Sequence, residues 1–215
     1  QSRALGSGRG EDWLRTLAVE LKSVSWRDLL RSRLPQLLPG ALGASMHGLD
    51  RLAHAVRSLE KEDSAERRTE LLFGLAYWAS CYTELPADAG LRAEKGRGPA
   101  VVLRELDPVP LQSSQLETIS EAMGCLAKEL GYCASLERAD LDSGSASEFL
   151  SGLYAEASGQ YLGHPRARLP YLHGIVGASA FRDLIPYLEA DQVRLGLGAA
   201  LQCVTSIHSL YGQAE

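Results

Sequence analysis

A chain of 215 residues, 45% hydrophobic and 23% charged, has enough apolar side chains for one substantial core and reads as a single domain. Its net charge of -5, with no Lys/Arg cluster interleaved with aromatics, argues against a nucleic-acid partner, which needs a basic face for phosphates. The longest apolar run, 71–79, falls far short of the roughly 20 residues of a membrane-spanning helix, and no signal pattern opens the chain, so no membrane is expected.

Residues 1–10 are Gly, Ser and Arg with little to bury and are expected to form a flexible segment ahead of one helical domain over 11–215. Gly6-Ser7-Gly8-Arg9-Gly10 fits neither the phosphate-loop nor the dinucleotide spacing. From Glu11 the pattern is helical, with Trp13, Leu14, Leu17, Ala18 and Leu21 at three- and four-residue spacing. Ser25 followed by Asp28 is a cap with an acidic first turn, opening a short helix through Leu34 that Pro35 and Pro39-Gly40 interrupt.

The next segment is the most informative. In Met46-His47-Gly48-Leu49-Asp50-Arg51-Leu52-Ala53-His54-Ala55-Val56-Arg57, the residues Met46, Leu49, Leu52, Ala53, Val56 and Leu59 form one apolar stripe. His47, Asp50, Arg51, His54 and Arg57 gather on the other side, with Ser45 as a candidate cap. Two histidines and an arginine on one face suit a polar cavity, although a solvent-exposed face reads equally well. Lys61 to Arg68 is a charged connector, and 69–82 is apolar on most sides, the mark of a helix central to a bundle. Residues 87–110 carry Gly96, Gly98, Pro99, Pro108 and Pro110 and read as a long irregular connection or a lid; only 100–103 has a short strand-like run.

Ser114-Gln115-Leu116-Glu117 is a capping box opening a helix through about Leu136, and Ser145-Ala146-Ser147-Glu148 repeats it for a helix ending at Gly163-His164-Pro165. Two further helices span about 166–185 and 191–211, the first containing His173 and the second ending near His208. The expected fold is therefore all-α, six to eight helices in an orthogonal or bundle-like array. Cys81, Cys125, Cys133 and Cys203 stand singly in apolar helical patterns with no C-x-x-C pair, which points to small buried thiols in a reducing compartment, the cytoplasm.

Among groups that carry chemistry, histidine is the informative type. His47 and His54, seven apart, have Cα atoms roughly 10 Å apart along one helix face, so a single ion would need both rings to lean inward. They read instead as lining a substrate pocket, or as one ligand and one supporting group. Arg51 could hold a phenolate or enolate oxygen, or pair with Asp50 or Glu70. His173, beside Gly174 and Gly177, reads either as a site residue reached closely by another helix or ligand, or as a packed histidine bonded to a carbonyl.

Taken together, the segment 47–57, Leu75-Ala76-Tyr77-Trp78-Ala79 with Leu85-Pro86, the segments 171–177 and 180–188, and 201–212 resemble the questin oxidase-like family, in the expected order from Asp12 to Gly212. The H-G-x-x-R-x-A-H-A stretch is the most specific piece. The resemblance implies a helical oxygenase that oxidises or cleaves the ring of an aromatic polyketide, such as an anthraquinone or hydroquinone, with O2. It implies non-haem Fe(II) with His47, His54 and His173 as ligand candidates, and Arg51 and Gln202 as groups on the substrate or behind the ligands. NADPH is a candidate cosubstrate, while no dinucleotide or flavin motif is present. Relatives usually carry a further N-terminal helical region with an Asn-His motif, so residues 11–215 resemble the C-terminal part of a longer family member and the site is expected to lack one ligand: the chain is either part of a longer or split protein or a truncated relative that binds without turnover, with a second subunit or a homodimer as a candidate partner. His208 stands where relatives look aromatic. The rival expectation is a non-catalytic helical polyketide-binding protein or a partner subunit completing an oxygenase in trans.

Overall fold

The computed structural model describes residues 5–88, 96–109, 119–142 and 144–213. Among them are ten α-helices and no strand, an all-α single domain. They are α1 (Gly10–Glu20), α2 (Trp26–Leu37), α3 (His47–Lys61), α4 (Ala65–Ser80), α5 (Pro99–Arg104), α6 (Ile119–Cys125), α7 (Leu130–Leu136), α8 (Ala146–Gly163), α9 (Arg168–Leu184) and α10 (Val193–Tyr211). Seven are long elements and three are short pieces of six or seven residues. No helix among the described residues is long and apolar enough to cross a membrane.

Local chemistry explains most boundaries. Ser145 and Glu148 form the expected reciprocal box, Ser145 Oγ accepting from Glu148 N at 3.2 Å and Glu148 Oε2 from Ser145 N at 2.8 Å. Ser25 Oγ accepts from Asp28 N at 3.1 Å, but α2 continues through Pro35 to Leu37. A proline this near the C-terminus removes a single intrahelical bond, and Gln36 Nε2 donates to the neighbouring Ser32 carbonyl at 2.8 Å. The charged connector is shorter than its composition suggests. Ser64 caps α4, so 65–68 are already helical. The strand-like run 100–103 is helical as well, because Pro99 at the first position presets φ for α5. Residues 119–136 are two helices rather than one: an extended Glu129 breaks them, and α7 carries Tyr132 to Thr205 and Ser206 of α10 at 3.1 and 2.9 Å. The capping box at 114–117 lies outside the described residues, as do residues 1–4 of the N-terminal segment and 89–95 of the long connection. Residues 5–9 lie against the domain, with Gly6 N donating to Ala79 O at 2.9 Å and Leu5 packed on the core.

The layers follow from the apolar stripes. α4 packs between α1 and α3, α3 lies on α9, and α9 is flanked by α8 and α10. The most enclosed helix is α10, where all 14 residues from Gly196 to Ser209 are buried. Its buried polar groups are largely satisfied internally, as buried polar groups must be. α4, which the sequence places at the centre, is buried along Leu71, Leu72, Leu75, Ala76, Trp78 and Ala79 while Phe73 reaches solvent.

Candidate functional site

α3 begins in an unusual way. Ala44, Ser45 and Met46, none of them glycine, have φ of 47°, 55° and 70°. Left-handed backbone costs roughly 1–2 kcal/mol per such residue, and strain of this kind concentrates at functional sites. Ser45, the candidate cap, is inside this turn; Met46 occupies the cap position with no capping side chain. The turn is held from outside. Trp78 Nε1 donates to Gly40 O at 3.0 Å, Leu85 N donates to Pro39 O at 2.7 Å, and Met46 is fully buried against Gly177 of α9.

The strained turn delivers His47, the first residue of α3, to a pocket between α3 and α9. The cavity is about 190 Å³ and is lined by Ser45, Met46, His47 and Asp50 on one side and by Leu169, Leu172, His173, Val176 and Gly177 on the other. His47 and His173, 126 positions apart in sequence, meet edge to face with ring centroids 5.1 Å apart. His173 Nδ1 lies 2.8 Å from the Leu169 carbonyl. A carbonyl only accepts, so Nδ1 carries a proton, and in the neutral ring the Nε2 lone pair is left for a metal. His173 thus lies against a carbonyl, without being packed in the core, and it also lines the pocket.

The other predicted site residues are elsewhere. His54 is exposed on α3, its Nδ1 2.9 Å from Arg57 and its Nε2 3.5 Å from Asp50 Oδ1. Seven residues are two full turns, which carries His54 past the end of the pocket while Asp50, one turn on from His47, remains in it. Arg51 pairs with Glu70 at 3.1 Å and lies over the Phe73 ring at 5.2 Å. Gln202 is fully buried in α10 and clamps Ala87, accepting from its N–H and donating to its carbonyl, both at 2.9 Å. Neither residue lines the pocket. Among the described residues no three His, Cys, Asp or Glu side chains converge on one point, so His47, His54 and His173 do not meet as a set. Two of them do.

The structure adds Asp50 and the α9 stripe of Leu169, Leu172 and Val176, which the helical spacing of 169, 172, 173 and 176 could have revealed. A second histidine cluster lies apart from the pocket. Tyr171 Oη is 2.8 Å from His208 Nδ1, and the His164 ring stacks on Tyr171 at 4.8 Å. Burial, with His164 adding to it, pushes the His208 imidazole down to about 4, so it is neutral. Burial pushes the Tyr171 hydroxyl and the Cys203 thiol up. The four cysteines are free.

Comparison with known proteins gave no match: no protein-family model, no curated protein and no solved structure matches this chain.

Proposed function

We propose that the pocket between α3 and α9 is the reaction centre of an oxygenase that oxidises or opens a ring of an aromatic polyketide, an anthraquinone or a hydroquinone, with O2. The observation that carries this reading is the convergence of His47 and His173 on an apolar cavity, with the His173 Nε2 lone pair free. The questin oxidase-like resemblance supplies the substrate class.

The imidazoles of His47 and His173 suit Fe(II) as nitrogen ligands and would hold it at this pocket. Fe(II), when bound, supplies the redox chemistry for O2. The chain's own residues do the rest: Met46, Leu169, Leu172 and Val176 hold the flat ring by apolar contact and exclude water beside it. His54 supports Asp50 from outside the pocket, and Arg51 and Gln202 act on the fold rather than on the substrate.

A second reading, a site completed by another subunit or a second copy of the chain, is favoured by Leu169 and Leu172, which line the pocket yet stand 66% and 45% exposed. Oxygen uptake by the Fe(II)-loaded chain with an anthrahydroquinone tests the first reading. Turnover that disappears in both His47→Ala and His173→Ala supports it; turnover that survives in both removes it. Turnover that rises steeply with protein concentration, alongside a dimer in light scattering, selects the second.

A further inference from the structure

We propose that Asp50 accepts a hydrogen bond from a ring hydroxyl in the pocket and that His54 positions Asp50 for it, so that the pocket selects a free phenol over its methyl ether. The inference rests on the reading of this pocket as a ring-binding site and is independent of iron.

Asp50 is the one carboxylate among the lining residues, and its side chain is 29% exposed. Most of the wall is Met46, Leu169, Leu172, Val176 and Gly177, which offer no side-chain hydrogen bond. A phenol that enters such a wall loses its water and must find an acceptor, or the hydroxyl is buried at a cost. An ionised carboxylate only accepts, so it favours a hydroxyl donor and gives nothing to an ether oxygen.

The carboxylate is held from behind by a chain of side chains along the polar face of α3. Asp183 of α9 pairs with Arg57. Arg57 lies 2.9 Å from His54 Nδ1 and can only donate, so Nδ1 is bare and the ring proton is on Nε2. That Nε2 faces Asp50 Oδ1 at 3.5 Å, an electrostatic contact rather than a full hydrogen bond. The spacing 50, 54, 57 places the three on neighbouring turns of one face. Oδ1 is thus engaged by His54, and the second carboxyl oxygen remains for a ligand. His54 is itself 66% exposed, which fits a positioning residue rather than one that touches the ring.

The test is fluorescence titration of the metal-free full chain with 2-naphthol and with 2-methoxynaphthalene, in which a methyl group replaces the hydroxyl proton; the change of their affinity ratio on substitution of Asp50 isolates the donor from the methyl. A hydrogen bond to a charged acceptor is expected to make 2-naphthol bind roughly tenfold tighter or more. In Asp50→Ala the ratio falls severalfold, to the preference that the His173 Nε2 acceptor alone can give, while the ether's own affinity changes little. Asp50→Asn, which keeps the shape and guards against misfolding, gives an intermediate ratio. His54→Ala lowers the ratio, and His54→Gln restores part of it through its amide donor. Equal affinities in the wild type, a ratio that is unchanged in Asp50→Ala, or binding of neither compound overturns the proposal. An Asp50-dependent preference in a chain that takes up no iron leaves this proposal standing and removes the oxygenase. Iron-dependent turnover without the preference does the reverse.

Discussion

A β-carbon added to Gly177 would fall 2.8 Å from Met46 Sδ, so α3 and α9 touch at the base of the pocket with only a thioether between them. Met46 is also the last residue of the left-handed turn and the immediate neighbour of His47. Gly177→Ala therefore pushes on the residue that sets the His47 position. The expected cost is about 1 kcal/mol in urea unfolding, with a clear loss of metal affinity. At Gly48 the added carbon would sit 2.7 Å from Trp78 Cα, backbone against backbone, where nothing flexible can yield. Gly48→Ala is expected to cost about 3 kcal/mol, and the order of the two variants is the check.

Gln202 and Ala87 form the second relationship with a measurable consequence. Both polar groups of the Ala87 backbone are satisfied by one buried amide. Gln202→Leu leaves both without that partner and is expected to cost about 2–3 kcal/mol in urea unfolding. Ligand and metal binding at the pocket should be unchanged, which separates this role from contact with a substrate.

The His208 imidazole, held at about 4 by burial, makes stability fall on the acid side. The folded chain binds this proton more weakly than the unfolded chain does, whose histidine titrates near 6.5. The stabilisation is fully present above about 6.5 and is lost as pH falls toward about 4, a span worth about 3 kcal/mol. Urea unfolding at pH 7 and pH 4.5 should show most of that loss, and His208→Gln, which can still accept from Tyr171, should flatten the dependence.

Much of this architecture was legible because the long helices carry their own punctuation. Ser25, Ser145 and Glu148 cap as their spacing predicts, and the apolar stripe of 46–59 is the buried face of α3. The run 100–103 was ambiguous because four apolar residues fit either period, and Pro99 decided it. At the site, the pairing of His47 with His173 had no local signal, since contact across 126 positions depends on how α3 lies on α9. The left-handed turn was illegible for a stronger reason. Alanine, serine and methionine do not favour positive φ, so tertiary contacts to Gly177 and around Pro39 and Gly40 override the local preference. Arg51 and Glu70 show the opposite case, in which the simple surface pairing weighed from sequence is the contact the structure contains.

The most direct measurement is Fe(II) content per chain after anaerobic loading, in the wild type and in His47→Ala, His173→Ala and His54→Ala. The proposed site predicts close to one iron per chain in the wild type, its loss in the first two variants, and its retention in His54→Ala, whose ring stands outside the pocket. A wild type that takes up no iron, or iron that persists in both His47→Ala and His173→Ala, would contradict it.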